Sequence, residues 1–411
     1  MKGRRGRRRA PDGGSNGTKR LTLAGFLAIA VAFGPARNGY GLFLPEIREE
    51  FGLSTGGLGL VASAAYAGYL AALLAVGVLA SRAGPRLPVV VGGLCGAGGM
   101  ALVAFSPNPV ALTAGVVLAA ASAGWSWPPY NDAAERAVPA RLRARVLSVI
   151  STGTTFGIAA AGLTALAVGA AGGAWRAGWL AFSAAALVAL AINAVVLPGK
   201  PGGAAGDGPD RWPGLGWFSR DGSAPLFAVA FSFGAVSSVY WAFAVDHVSR
   251  ASGAEAAPLG LPLGPLFFVV VGLGGVAGLF AGDTMGAFGL RRVLAGVLLC
   301  AAVAASLLGV APGWWPAAAL SALLFGAYVM TISALVSVWS SLVFPERPSA
   351  GFSAALVSFA AGSILAPASA GALAAAHGLG AVFVLSGTVA LLTLLAGPRK
   401  DPRPPEGGAA G

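Results

Sequence analysis

Charged side chains are scarce in this chain of 411 residues. Lys, Arg, Asp and Glu together make up 10% of the sequence, whereas apolar residues make up 56%. A soluble domain usually carries charge on about a quarter of its residues. The shortage of charge therefore excludes an ordinary water-soluble protein and favours one that is dissolved in a lipid bilayer.

Cysteine, histidine and nucleotide-binding motifs are equally rare. The two cysteines, Cys95 and Cys300, have no metal-ligand spacing to each other or to His247 and His377, so we interpret them as small core residues. No glycine-rich run ends in Gly-Lys-Ser or Gly-Lys-Thr, the pattern that grips phosphates. We predict no metal, no cofactor and no enzymatic activity, and the short loops leave no space for a soluble catalytic domain.

Twelve apolar runs dominate the chain, and most reach the roughly 20 residues that a helix needs to cross a bilayer. In lipid the backbone must satisfy its own hydrogen bonds, so each run is predicted to be helical. The fold class is therefore an all-α integral membrane protein. The runs cover approximately 22–45, 56–80, 87–105, 110–131, 146–168, 176–197, 224–245, 262–282, 293–311, 316–342, 352–375 and 379–397.

The sequence repeats itself at one offset of 200 residues. The first copy reads Phe33-Gly34, Tyr40, Phe43 and Glu46, and the second reads Phe233-Gly234, Tyr240, Phe243 and Asp246. A second echo pairs Pro139 and Arg141 with Pro345 and Arg347. Two homologous apolar halves of six helices each are typical of a transporter that moves one half against the other.

Basic residues predict the topology and the division of the chain. With the N-terminus in the cytoplasm, 23 of the 27 Lys and Arg residues fall on the cytoplasmic side, so both termini are predicted to be cytoplasmic. The predicted parts are a basic tail 1–21, a six-helix bundle 22–197, a linker 198–222, a second bundle 223–397 and a tail 398–411. We expect the N-terminal tail to contact anionic lipids rather than nucleic acid, because a membrane helix follows it at once.

The architecture resembles the major facilitator superfamily over roughly residues 20–398. The specific motif is a Gly, an acid and then Gly with basic residues, in the loop after the second helix of each half. The second copy runs from Gly278 through Asp283 to Gly289 and Arg291, whereas the first has Ser81 in place of the acid, before Arg82 and Arg86. The resemblance implies that these loops latch the halves. We therefore assign gating roles to Arg82, Arg86, Asp283 and Arg291. We add Asp132, because its charged cluster at the end of the fourth run favours pairing at a gate or an interface.

Arg37 is the sharpest candidate for contact with a solute. It lies about eight residues from the outer end of the first run, where a charge usually faces the bundle interior. A guanidinium offers five donors that suit a carboxylate or a phosphate. The alternative is that Arg37 snorkels outward or bonds to a neighbouring carbonyl.

Polar and aromatic residues on four helices complete the predicted path. The resemblance implies that helices one, four, seven and ten line it. The fourth helix ends in Trp127, two prolines, Tyr130 and Asn131, which form either a cavity wall or an interfacial aromatic belt. The predicted solute-binding residues are Arg37, Tyr40, Trp127, Tyr130, Asn131, Tyr240, Trp241 and Tyr328.

These features predict a monomeric secondary transporter of a small organic solute in the plasma membrane. We found no carboxylate as deep in a run as Arg37, which favours an anionic solute. A proton or solute gradient is expected to supply the energy. Two alternatives stay open: an exporter of amphipathic drugs or toxic metabolites, and a non-transporting membrane sensor or scaffold.

Overall fold

The computed structural model describes residues 15–199, 214–252 and 261–398. Within these ranges, eleven helical segments are long and apolar enough to cross a membrane. Spans 1 to 6 are Asn16–Leu42, Thr55–Gly77, Arg86–Ala104, Pro109–Ala137, Ala140–Ala170 and Trp175–Val196. Spans 7 to 10 are Ser223–Ser252, Leu263–Phe288, Leu290–Val310 and Trp315–Val343, and Pro348–Ala396 comes last.

The last segment contains two spans rather than one. It is divided at Gly378, where φ is 80° and ψ is 162°. This left-handed conformation is readily adopted only by glycine, and it reverses the chain between the two predicted runs. We call 348–377 span 11 and 379–396 span 12, so the prediction of twelve membrane helices is confirmed.

The twelve spans form two halves whose internal packing follows the sequence repeat. In the first half a Cβ on Gly34 of span 1 would lie 2.5 Å from the backbone of Gly157 in span 5. In the second half a Cβ on Gly234 of span 7 would lie 1.9 Å from the Phe359 carbonyl oxygen in span 11. Only glycine permits backbones to approach this closely, as at many membrane helix interfaces.

The two halves meet mainly through spans 1 and 7, 2 and 11, and 5 and 8. We call the face where span 1 begins and span 12 ends the terminal face, and the opposite one the distal face. The described glycines that contact the other half lie in mid-membrane or towards the distal face. A Cβ on Gly41 would lie 1.8 Å from the Trp241 carbonyl oxygen, and one on Gly59 would lie 2.3 Å from that of Pro367. The halves are thus closed together on the distal side.

Most of the predicted tails and most of the linker lie outside the described residues. This applies to the basic residues of 1–14, to 200–213 and to 399–411. The described part of the predicted N-terminal tail, 15–21, is helical and continues into span 1, so the predicted boundary after residue 21 is wrong. The described end of the linker forms a single 3-10 turn, Leu215–Phe218. Trp217 of this turn stacks on Phe344 at 5.0 Å between ring centroids, which fixes the linker against the second half at the terminal face.

Candidate functional site

A central cavity of about 150 Å³ lies between the halves, on the terminal side of their glycine contacts. Seven aromatic side chains line it, and among its described lining residues Arg37 is the only charged one. The aromatic lining residues are Phe33, Tyr69, Trp127, Phe233, Trp241, Phe352 and Phe359. Hydroxyl groups and an amide come from Asn38, Ser151, Thr154, Ser237 and Ser333.

A break in span 1 positions Arg37 in this cavity. Residues Ala32–Ala36 form one π-helical turn that contains Pro35, and such turns are frequent at functional sites. Proline has no N–H to donate to the helix ladder. The Arg37 N–H donates to the Gly34 carbonyl, instead of to the Phe33 carbonyl as a regular α-helix would require. The Phe33 carbonyl is therefore free for a side chain.

The Arg37 guanidinium is surrounded by aromatic rings rather than by acids. Its Cζ lies 4.5 Å from the ring centroid of Tyr69, 5.3 Å from those of Tyr66 and Phe359, and 5.5 Å from that of Phe33. None of the ion pairs formed by the described residues includes Arg37. Ring faces stabilise a cation. The Tyr66 hydroxyl bonds to the guanidinium, but five N–H donors leave others available to an anion.

Asn38 is a polar residue of the cavity that was not among the predicted solute-binding residues. Its Nδ2 donates to the free Phe33 carbonyl at 2.7 Å, whereas its Oδ1 is buried without a partner. An amide next to Arg37 in an apolar run was the available signal. The repeat-related site is similar, because Ser237 Oγ donates to the Phe233 carbonyl at 2.6 Å.

Trp127 and Trp241 lie in the central cavity, but the hydroxyls of Tyr40 and Tyr240 are engaged elsewhere. Tyr40 donates to the Leu58 carbonyl at 3.0 Å. Tyr240 shares a hydrogen bond of 2.6 Å with Ser321, within the second half. Neither tyrosine is among the described residues that line the central cavity.

The remaining predicted solute-binding residues lie apart from the described cavity lining. Tyr130 is buried inside the first half and donates to Asn193 Oδ1 at 2.7 Å, and Asn131 is exposed. Tyr328 is fully buried and lies edge-on to Phe233, with 5.7 Å between centroids. Its neighbours Val329 and Met330 reach the cavity instead.

The predicted gating residues lie towards the terminal face. Arg86, Asp283 and Arg291 are exposed there and Asp132 is partly buried, whereas the side chain of Arg82 lies outside the described residues. The ion pair that joins the halves is at the distal face, where it was not predicted. Arg48 donates to Asp246 from Nε at 2.9 Å and from Nη2 at 2.7 Å.

Comparisons with known proteins agree with this architecture. The model of the family described as "Uncharacterised MFS-type transporter YbfB" matches residues 29–397. The chain therefore belongs to this family of major facilitator transporters, and the resemblance inferred from the sequence is confirmed. No curated protein matches the chain.

Solved transporter structures share the fold at low sequence identity. A bacterial homologue of the human lysosomal transporter Spinster, in an inward-facing and unoccupied conformation, has a TM-score of 0.71 at 16% identity, over 93% of this chain and 97% of that one. The nucleoside transporter NupG has a TM-score of 0.71 at 13% identity, over 93% and 98%. A POT family transporter in complex with 5-aminolevulinic acid has a TM-score of 0.74 at 13% identity, over 92% and 95%.

Proposed function

We propose that this protein transports a small organic anion across the plasma membrane by alternating access. The central cavity is the solute site, and the terminal face is cytoplasmic, as the distribution of basic residues predicts. A proton or solute gradient supplies the energy. In the conformation described here the cavity lies on the cytoplasmic side of the closed distal contacts.

The observation that carries the proposal is the environment of Arg37. A cation inside the membrane is costly and usually serves a solute path. Around Arg37 the described groups are mainly aromatic faces, which leave the planar donors of the guanidinium unpaired with any carboxylate. A carboxylate is the group that these donors match best.

The aromatic lining defines the rest of the solute. Rings from both halves, including Trp127 and Trp241, present apolar surface on the sides of the cavity. Burial of an apolar solute body against them is favourable by roughly 25 cal/mol per Å². We therefore expect an anion with an apolar body, which is a narrower class than organic anions in general.

The test is binding of carboxylates to purified protein in detergent. We expect Arg37→Ala to weaken binding by at least about ten-fold, because a charge-assisted hydrogen bond is lost, and Arg37→Lys to restore only part of it, since a lysine donates as a point charge. Arg220→Ala is the matched control. Arg220 also lies over two rings, Trp217 and Phe344, but outside the cavity. Equal carboxylate affinity of Arg37→Ala and wild type would refute the anion site.

An exporter of amphipathic drugs is the second candidate, and the aromatic lining favours it. The two functions differ in charge preference, since Arg37 attracts anions and repels cations. Flux into proteoliposomes should therefore be compared for an aromatic carboxylate and an aromatic amine of equal size. Preference for the amine would support the drug exporter, and absence of flux for both would revive the sensor hypothesis.

Tyr40 and Tyr240 stay in the proposal as residues that orient the solute in another state of the cycle. In the present conformation their hydroxyls bond to Leu58 and Ser321, so solute contact requires these bonds to exchange. Tyr40→Phe combined with Tyr240→Phe removes both hydroxyls. Unchanged solute affinity and selectivity in that variant would exclude them from the path.

A further inference from the structure

Asn38 carries an unused hydrogen-bond acceptor next to the proposed anion site. Its side chain is only 6% exposed, and its Oδ1 has no partner among the described residues. A buried acceptor without a donor is unfavourable, and native proteins seldom keep one without a reason. The carbonyl oxygen of this amide is therefore poised for a donor that comes from outside the chain.

The hydrogen bond of the amide nitrogen determines the orientation of the Asn38 side chain. Nδ2 lies 2.7 Å from the Phe33 carbonyl oxygen, so a flipped amide would place two acceptors against each other. The Phe33 carbonyl is available because Pro35 and the π-helical turn disturb the ladder at this point. The break in span 1 thus fixes Nδ2 as the donor within the chain and leaves Oδ1 as the acceptor.

A small recess lies beside Asn38. Arg37, Asn38, Tyr40, Tyr66 and Trp241 line the recess together with small residues, and its volume is about 20 Å³. Arg37, Asn38 and Trp241 also line the central cavity. A space of this size holds one water molecule or one group of similar size, such as a hydroxyl that belongs to a solute in the cavity.

The charge of Arg37 decides which donor is favoured. A hydroxyl and an ammonium group could both donate to Asn38 Oδ1. The ammonium, however, would lie close to the guanidinium in a site of low dielectric, where repulsion between like charges is strong. A neutral hydroxyl meets no such penalty.

We infer that Asn38 selects hydroxycarboxylates, its Oδ1 accepting a hydrogen bond from the solute hydroxyl while Arg37 binds the carboxylate. The inference rests on the proposed function and narrows its substrate class. Asn38 acts here as a specificity residue and not as a source of general affinity. Acids that lack the hydroxyl leave Oδ1 unpaired and bind more weakly.

The experiment compares matched acids that differ by one hydroxyl. The probes are lactate against propionate, 3-hydroxybutyrate against butyrate, and 3-phenyllactate against 3-phenylpropionate, each titrated into purified protein. For the pair of fitting size, we expect the hydroxylated acid to bind about ten-fold more tightly to wild type, the order expected for one hydrogen bond to an otherwise unpaired buried group. In Asn38→Leu the two acids of that pair should bind equally.

Two further variants keep the test decisive. Asn38→Ser retains a hydroxyl that can donate to a helix carbonyl, and it should show the same loss of discrimination if Asn38→Leu does not fold. Ser122→Ala is the control, because Ser122 Oγ is another buried atom without a partner but lines a different cavity, within the first half. It should keep the wild-type preference.

Each outcome separates the inference from the function on which it rests. Equal binding of both members of every pair by wild type, or a preference that survives in the Asn38 variants, would overturn the role of Asn38 while leaving the anion site intact. Absence of binding by all six acids would instead overturn the proposed function, and the inference with it.

Discussion

Asp246 is completely buried beneath Arg48, so the strongest polar link between the two halves is sealed from water on one side. The Asp246 side chain is 0% exposed and that of Arg48 is 20% exposed. Arg48 also donates to Thr55 Oγ1 at 3.2 Å, and Arg250 approaches Asp246 at 4.0 Å. The pair connects the short helix Leu44–Phe51, which follows span 1, with span 7 at the distal face, so it can form only when that face is closed.

Loss of this ion pair should open the distal face. In Asp246→Asn, Arg48 loses a carboxylate partner, and we expect the distal-closed state to lose about 2 kcal/mol, which is roughly a thirty-fold change in population. The measurement is the labelling rate of Ser237→Cys in the central cavity, in a Cys95→Ala/Cys300→Ala background, by an impermeant thiol reagent added from the distal side.

Glu346→Gln serves as the control for that measurement. Glu346 pairs with Arg220 at 2.8 Å, but this pair connects the linker with the second half and does not join the two halves. Its loss should leave the labelling rate unchanged. If Asp246→Asn labels as slowly as wild type, the Arg48–Asp246 pair does not hold the distal face closed.

Gly41→Ala should also disfavour the state in which the distal face is closed, because its side chain would clash with span 7. The added Cβ would lie 1.8 Å from the Trp241 carbonyl oxygen, a distance that the closed packing cannot tolerate. We expect faster labelling of Ser237→Cys from the distal side. Gly98→Ala, where a Cβ meets nothing within 4 Å, is the control. Equal labelling rates in Gly41→Ala and Gly98→Ala would show that the close packing at Gly41 does not hold the distal face closed.

Glu50 should make the stability of the first half dependent on acidity. Hydrogen bonds from Arg176, and then from Trp175, hold the pKa of Glu50 below its ordinary value of 4.5. A group whose pKa is depressed in the folded state stabilises the fold above its unfolded pKa and loses this effect as the pH falls through the folded pKa. The melting temperature of wild type should exceed that of Glu50→Gln near neutral pH.

The difference between the two proteins should shrink as the pH falls below about 4.5, because Glu50 then becomes neutral as well. The measurement is a thermal melt in detergent at a series of pH values. Arg176 also donates to the Ala104 and Ser106 carbonyls at 2.7 and 2.9 Å, so Glu50→Gln is preferable to a change of the arginine itself. A constant difference at all pH values would exclude this role for Glu50.

Both chain termini should be on the cytoplasmic side. Reporter domains that are active only in the cytoplasm should work when fused at either end. Fusion of the same reporter after Ser106, between spans 3 and 4, should be inactive. Activity of one terminal fusion without the other would contradict the twelve-span topology.

The membrane architecture could be predicted from the sequence because its signals are long and redundant. Twelve apolar runs and a repeat at one offset survive errors of several residues at each end. The same reasoning reached Arg37, since a charge within an apolar run is conspicuous. The pairing of Arg48 with Asp246 could not be predicted, because 198 residues separate them and no local pattern records which loops meet.

The orientation of side chains around each span was less predictable. These helices are apolar on nearly all sides, so periodicity does not identify the face that lines a cavity. Tyr130 was selected beside Trp127, yet it bonds to Asn193 inside the first half. Ser151 and Phe352 were passed over because their spans were not expected to line the path, and both do. The π-helical turn at Pro35, which frees the Phe33 carbonyl for Asn38, depends on local packing that composition does not encode.

The duplication is imperfect at the position that matters most, because Ser237 occupies the place in span 7 that Arg37 holds in span 1. The two halves are therefore not equivalent at the proposed solute site. In the proposed mechanism the first half binds the charged group of the solute, and the second half contributes cavity walls that carry no charge among the described lining residues. A solute bound in this way would lie in the cavity in one orientation only, with its carboxylate towards span 1.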